Sequence, residues 1–155
     1  MPPDPATVLD KAFEFASRLG ELMHATLAER GLTPARAEVL LVLHHHGEPM
    51  FQRELSQALH CTPRHVTALV DILEAHGWVT RGPHPTDRRA TLVALTEQGT
   101  AAADRMDTER RRAAHQLLGQ LPAADLAGFV AVADHVLRHI DAAHSPTPDD
   151  VERSG

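Results

Sequence analysis

The sequence holds one cysteine, Cys61, and one lysine, Lys11, in 155 residues. A lone thiol cannot close an intramolecular disulfide, and it cannot by itself supply a zinc site. No apolar run approaches the ~20 residues that a membrane-spanning helix needs, so no membrane partner is expected. The segment Met1-Pro2-Pro3-Asp4-Pro5 lacks the basic-then-apolar pattern of a secretory signal, and a cytoplasmic location is the expectation. There is no nucleophile–base motif, no Gly-rich phosphate loop and no His-Glu-x-x-His spacing. Acid–base or metal catalysis needs such convergent groups, so the chain is not expected to be an enzyme or to carry a cofactor or metal. No internal repeat is visible.

What is present fits one folded domain. Hydrophobic residues make up 43% and charged residues 23% of the chain, a balance that supports a packed core. The formal net charge is −6, which taken alone argues against nucleic acid. Binding depends on where the positive charges sit, however, and not on their sum. Apart from Lys11 every basic residue is Arg, the better reader of phosphate and guanine. A GC-rich coding sequence would give the same bias.

Apolar periodicity predicts a first helix from about Thr7 to Arg30 with two adjacent stripes, one led by Val8, Phe15 and Leu22 and the other by Leu9, Phe13 and Met23. So wide an apolar surface suits a second subunit. Gly31 stops this helix, and Thr33-Pro34 caps and starts the next, which runs through five consecutive apolar residues to His44-His45-His46. A short helix from Gln52 to Leu59 follows, then a tight turn at His60-Cys61. Thr62-Pro63 repeats the cap-then-proline start of a helix reaching to about His76, with Val66, Leu69, Val70 and Leu73 inward. Trp78–Arg81 and Ala90–Leu95 read as two strands of a β-hairpin with a turn-rich tip between them. Thr96 caps a long helix to Leu118, its inward stripe Ala103, Met106, Ala113 and Leu117. A last helix from Ala123 to Ala143 carries Leu126, Phe129, Val130, Ala133, Val136, Leu137 and Ile140. Residues 145–155 read as a disordered tail.

Helix, tight turn, helix and hairpin in that order make a winged helix-turn-helix, within a mainly α chain. Its second helix must lay its first turn against base edges in a major groove. Thr62, Pro63, Arg64, His65 and Thr67 occupy that turn. A Thr methyl can meet the thymine methyl, and Arg can bind guanine through two hydrogen bonds. Arg88 and Arg89 sit at the hairpin tip, where an Arg can enter an adjacent minor groove. Asp87, two residues before Arg89, can orient it and hold the tip in one shape. Arg110-Arg111-Arg112 reads instead as an exposed helix face, partly paired with Asp107.

The run from Asp87 to Thr96 resembles the wing signature of the MarR (multiple-antibiotic-resistance regulator) family, Asp-x-Arg followed by an apolar strand ending in Leu-Thr. The run from Thr62 to Val79 resembles that family's recognition helix and its exit, and the likeness covers about residues 7 to 143. It implies a transcriptional regulator, commonly a repressor, that binds a pseudo-palindromic double-stranded DNA operator as a homodimer. Residues 33–96 would form the winged module, and residues 1–32 and 97–144 an intertwined dimerisation region. It further implies that a small anionic or aromatic effector binds between the two regions and weakens DNA binding, and that Asp87 and Arg89 form the wing pair. One departure stands out: the family has a Ser or Thr cap at position 51, and this chain has Phe51.

The histidines and the cysteine raise sensing alternatives. His44, His45 and His46 point in three directions on a helix, which suits one shared ion poorly. His24 can approach His44, either as an effector-pocket lining or toward a metal. Cys61, just before a helix N-terminus and near Arg64, stands where a thiol pKa can be lowered, which permits a redox switch, the alternative being simply a small residue in a turn. The family's peroxide sensors, though, carry their Cys on the first helix, where this chain has none. A winged module serving protein–protein assembly is the remaining alternative, although such a module needs no Arg at these two places.

Overall fold

The computed structural model describes residues 1–144, and the tail expected at 145–155 lies outside them. The order of elements is α1 (Pro5–Ala28), α2 (Pro34–His46), β1 (Met50–Phe51), α3 (Gln52–Ala58), α4 (Pro63–Ala75), β2 (Val79–Pro83), β3 (Thr91–Leu95), α5 (Glu97–Leu118) and α6 (Ala123–His144). The chain divides into two compact units, Met1–Glu109 and the part from Arg110 onward.

Three helices begin on one device. Asp4, Thr33 and Thr62 each accept a hydrogen bond from a backbone N–H of the first turn, and a proline follows where its missing N–H costs nothing. The Asp4-Pro5 pair starts α1 two residues earlier than periodicity alone suggests, because capping precedes the first apolar residue of the stripe. Helix ends are equally uniform. Leu32, Cys61 and Trp78 donate their N–H groups back to the carbonyls of Leu27, Ser56 and Leu73 at 3.0, 3.2 and 2.9 Å, the six-to-one bond of a Schellman turn. That turn requires a left-handed residue, supplied by Gly31, by His60 at φ 50° and by Gly77. The Ser56 hydroxyl, which donates to the Cys61 carbonyl at 2.6 Å, braces the turn around His60.

The sheet is antiparallel in the order β1-β3-β2. In β2 and β3, Val79 pairs with Leu95 and Pro83 with Thr91. The third strand, β1, is an addition to the expected hairpin: Met50 and Phe51 pair with Val93 and Leu92. Two residues are too few to show an alternation, so periodicity could not find it. Its register answers the question raised by Phe51, which caps α3 without a side-chain acceptor. Glu54 Oε2 instead accepts the Phe51 N–H at 2.8 Å, half of a capping box.

The core of the first unit is the winged module itself, with Val39, Leu40, Leu55, Val66, Val70, Leu73, Val79 and Val93 all buried, joined by Leu27, Ala103 and Met106. Within the five-residue apolar run of α2, Leu41 and Val42 are only half-buried. The inward stripe expected on α5 holds for Ala103 and Met106 and fails for Ala113 and Leu117, which are exposed. In α6, Leu126 and Ala133 alone of the expected stripe reach half-burial, while Phe129, Val130 and Leu137 face solvent. On α1 only Leu27 is buried, and Phe13 is 67% exposed. Among the described residues no single helix is long and apolar enough to cross a membrane.

Gly99, buried in the first turns of α5, marks the tightest approach in this unit: a Cβ there would stand 1.9 Å from the Trp78 carbonyl oxygen. Backbone cannot yield as a flexible side chain does, so Gly99→Ala is expected to destabilise the chain by about 3 kcal/mol, the upper end of overpacking costs. Urea unfolding followed by tryptophan fluorescence checks this, and a parent-like midpoint would show that the close approach is not native.

Candidate nucleic-acid interface

The helix–turn–helix presents α4 with one face sealed and the other open. Val66, Leu69, Val70 and Leu73 are buried, while Thr62, Pro63, Arg64, His65 and Thr67 are exposed. Thr62 Oγ1 accepts the His65 N–H at 3.2 Å, which spends this hydroxyl on capping and fixes the first turn. The Thr67 hydroxyl is also engaged: it donates to the Pro63 carbonyl at 3.0 Å and lies 3.2 Å from Gln52 Nε2, which donates to it. Arg64 stands exposed in that same turn.

At the hairpin tip Arg88 and Arg89 are exposed. Asp87 Oδ1 accepts the backbone N–H of Arg89 at 3.0 Å, and the Asp87 carbonyl accepts the N–H of Ala90 at 3.1 Å. The carboxylate therefore shapes the loop through its backbone, an Asx turn. His84 completes the tip. Its Nδ1 accepts the N–H groups of both Thr86 and Asp87 at 3.2 Å.

The residue that sequence reasoning passed over is Arg81, in β2. Its guanidinium meets Asp71 at 2.7 Å and Glu74 at 2.8 Å, both on α4. Its Nε donates to Gln52 Oε1 of α3 at 3.0 Å, and Nη2 donates to the Thr67 carbonyl at 3.3 Å. The Glu74 carboxylate also accepts the Arg81 backbone N–H at 3.0 Å. One side chain thus binds the wing, the recognition helix and the short helix together. The signal was available, since Asp71 and Glu74 stand three apart on one helix face, but their cation comes from a strand whose position only the fold reveals.

The sensing residues fall elsewhere. His44 Nε2 lies 3.3 Å from Asp104, and His45 Nε2 lies 3.0 Å from the buried Asp107. His24 stands exposed on α1. Among the described residues no group of three or more His, Cys, Asp or Glu side chains could hold a metal ion. A cleft of about 440 Å³ is lined by Arg30, Leu32, Trp78, Gln98, Arg105, Met106 and Glu109, with neither His24 nor His44 in its wall. Cys61 corrects an expectation. Burial pushes its thiol above the ordinary range and the Glu38 carboxylate adds to the shift, so the helix N-terminus and Arg64 do not dominate. A raised pKa leaves less thiolate at neutral pH. Alkylation of Cys61 by iodoacetamide at pH 7 should therefore run slower than that of glutathione and accelerate as pH rises; a faster rate would contradict this environment.

Known proteins share this arrangement. Residues 30–90 match the model of the MarR family. The HTH-type transcriptional repressor NicR of Pseudomonas putida is 34% identical over 94 residues, which cover 61% of this chain and 59% of NicR. The chain thus spans less than two thirds of that relative's length. AbsC, a MarR family transcriptional regulator from Streptomyces coelicolor, shares the fold at a TM-score of 0.80 and 19% identity, over 92% of this chain and 97% of AbsC. A mutant MarR from Escherichia coli, solved in complex with operator DNA, aligns at a TM-score of 0.70 and 25% identity over 83% of this chain and 93% of that one. With its winged helix-turn-helix in place, the chain resembles the MarR family, whose model its residues 30–90 match.

Proposed function

We propose that this chain is a sequence-specific regulator of transcription that binds double-stranded DNA as a homodimer in the cytoplasm and acts as a repressor. The observation that carries the reading is the pairing of exposed Arg64, on the capped first turn of a helix whose other face is buried, with exposed Arg88 and Arg89 on a shaped wing tip. In this reading Thr62, Pro63, Arg64, His65 and Thr67 approach base edges and phosphates in the major groove, and Asp87, Arg88 and Arg89 form the wing contact, with Arg89 in the minor groove.

The dimer rests on exposed apolar side chains. Phe13, Phe15 and Leu22 on α1 face solvent in one unit, and Phe129 and Leu137 on α6 do so in the other. Exposed apolar side chains in such number are unfavourable in water and point to a protein interface. A twofold partner covers it with the same surface, which assigns residues 1–32 and 97–144 to dimerisation and 33–96 to DNA reading. A small anionic or aromatic effector is the natural means of release. The cleft that joins Arg30 and Arg105 to Trp78 suits such a ligand better than the His24 and His44 lining, because His44 is engaged with Asp104. The raised thiol of Cys61 speaks against the redox-responsive alternative.

Selection of duplexes from a random pool supplies the operator for the test. Arg64→Ala is expected to relax preference at one base pair by ~1–3 kcal/mol. Arg89→Ala should weaken binding across sequences and reduce the salt slope by about 1. If both variants bind the selected duplex like the parent, with an unchanged slope, the assignment of these arginines fails.

A further inference from the structure

Phe51 occupies a helix-cap position for which it has no capping chemistry, so its ring invites another explanation. Phe51 and Gly82 both lie opposite Leu92, one on each side of β3. The three residues form one row across the sheet, and side chains two residues apart on a strand share a face. His84, two residues beyond Gly82, therefore falls on the same face as Phe51. The two rings meet there with centroids 5.1 Å apart and planes inclined by 32°. The Arg53 guanidinium lies over the same phenyl ring, 4.9 Å from its centroid.

The other edge of His84 does different work. Nδ1 accepts the N–H groups of Thr86 and Asp87, and the His84 N–H donates to the Ala90 carbonyl at 3.2 Å, closing the loop at its base. Asp87 in turn holds Arg89 by its backbone. A continuous path thus runs from the start of α3 through Phe51 and His84 to the backbone that presents Arg89.

We propose that Phe51 and His84 form a clasp that positions the wing tip for DNA, so that Phe51 stands at this cap position to anchor the wing. The proposal rests on the reading of Arg89 as a minor-groove contact. A loop ordered before binding does not lose that freedom on the duplex, and the gain appears as affinity. His84 is here a positioning residue and touches no base. Its Nδ1 must be unprotonated, with the ring proton on Nε2, for two backbone donors to be accepted. An asparagine at this position offers an amide oxygen near the place of Nδ1 and can accept the same two bonds, although it lacks the ring that stacks on Phe51.

The test compares the parent, His84→Ala, His84→Asn and Phe51→Leu on a duplex selected by the parent from a random pool. Affinity, salt slope, hydroxyl-radical protection of the minor groove and dimethyl sulfate protection of guanine N7 in the major groove are read together, with thermal unfolding alongside. His84→Ala is expected to lose affinity on the order of tenfold, with protection lost at the flanking minor groove and kept in the major groove. His84→Asn should recover most of the affinity, and Phe51→Leu, which keeps apolar volume but not the ring, should resemble a weaker His84→Ala. Parent-like protection in His84→Ala, or uniform loss of both grooves together with a lowered unfolding temperature, would overturn the clasp. So would a His84→Asn variant no better than His84→Ala. Arg89→Ala separates the two failures. If it weakens binding while the clasp variants do not, only the clasp is wrong; if it too binds like the parent, the minor-groove reading itself fails.

Discussion

A guanidinium in β2 holds the reading head together. Arg81 is only 22% exposed at its side chain and faces two carboxylates of α4, the amide of Gln52 in α3 and a carbonyl of α4. A half-hidden charge is tolerated only when paired and hydrogen-bonded, and Arg81 meets that condition with partners drawn from two helices. The consequence is geometric. In the proposed reading, α4 and the wing meet one duplex at fixed separation, and without a tie each would be positioned only by its own apolar contacts. With the tie, the angle between α4 and the hairpin is set by hydrogen bonds, which are directional, and not by apolar packing alone, which is not.

Capping and turn chemistry supply the second constraint. The same two local devices recur along the chain: an acceptor followed by proline at helix starts, and a left-handed residue in a Schellman turn at helix ends. In the helix–turn–helix they act within a few residues of each other. The His60 turn redirects the chain, Ser56 ties it down, and Thr62 opens α4 with its first turn already fixed. Local chemistry thus points Arg64 outward before any long-range contact forms. The negative whole-chain charge does not decide where DNA would bind, because arginines concentrated at two exposed places govern the local field.

Local rules made much of this legible. The six helices and the hairpin follow from periodicity and caps, and Thr33-Pro34, Thr62-Pro63 and Gly77 mark their boundaries to within a residue or two. The candidate arginines were legible for the same reason, since their neighbours fix which way the chain faces. What escaped was long-range. β1 is too short to carry a period and exists only because β3 lies beside it. Arg81 reads as an ordinary strand residue until Asp71 and Glu74 are brought to it. Phe51 looked like a missing cap and gained a use only across the sheet. The Cys61 thiol was misjudged because burial and Glu38 come from the fold, while the helix N-terminus is visible in the sequence. The apolar faces of α1 and α6 mark the opposite limit, because their patterns are plain and yet one chain by itself leaves them uncovered.

The central claim is that recognition helix and wing act as one rigid unit because Arg81 binds them. Its most direct measurement is the affinity of Arg81→Met for the selected operator, with helical content followed by circular dichroism. Methionine keeps the apolar stem and removes every hydrogen bond of the guanidinium. The account predicts unchanged helical content and a loss of affinity at least as large as that caused by removing Arg64 or Arg89 singly, although the Arg81 guanidinium is turned to partners on α3 and α4. Parent-like affinity in Arg81→Met would contradict it.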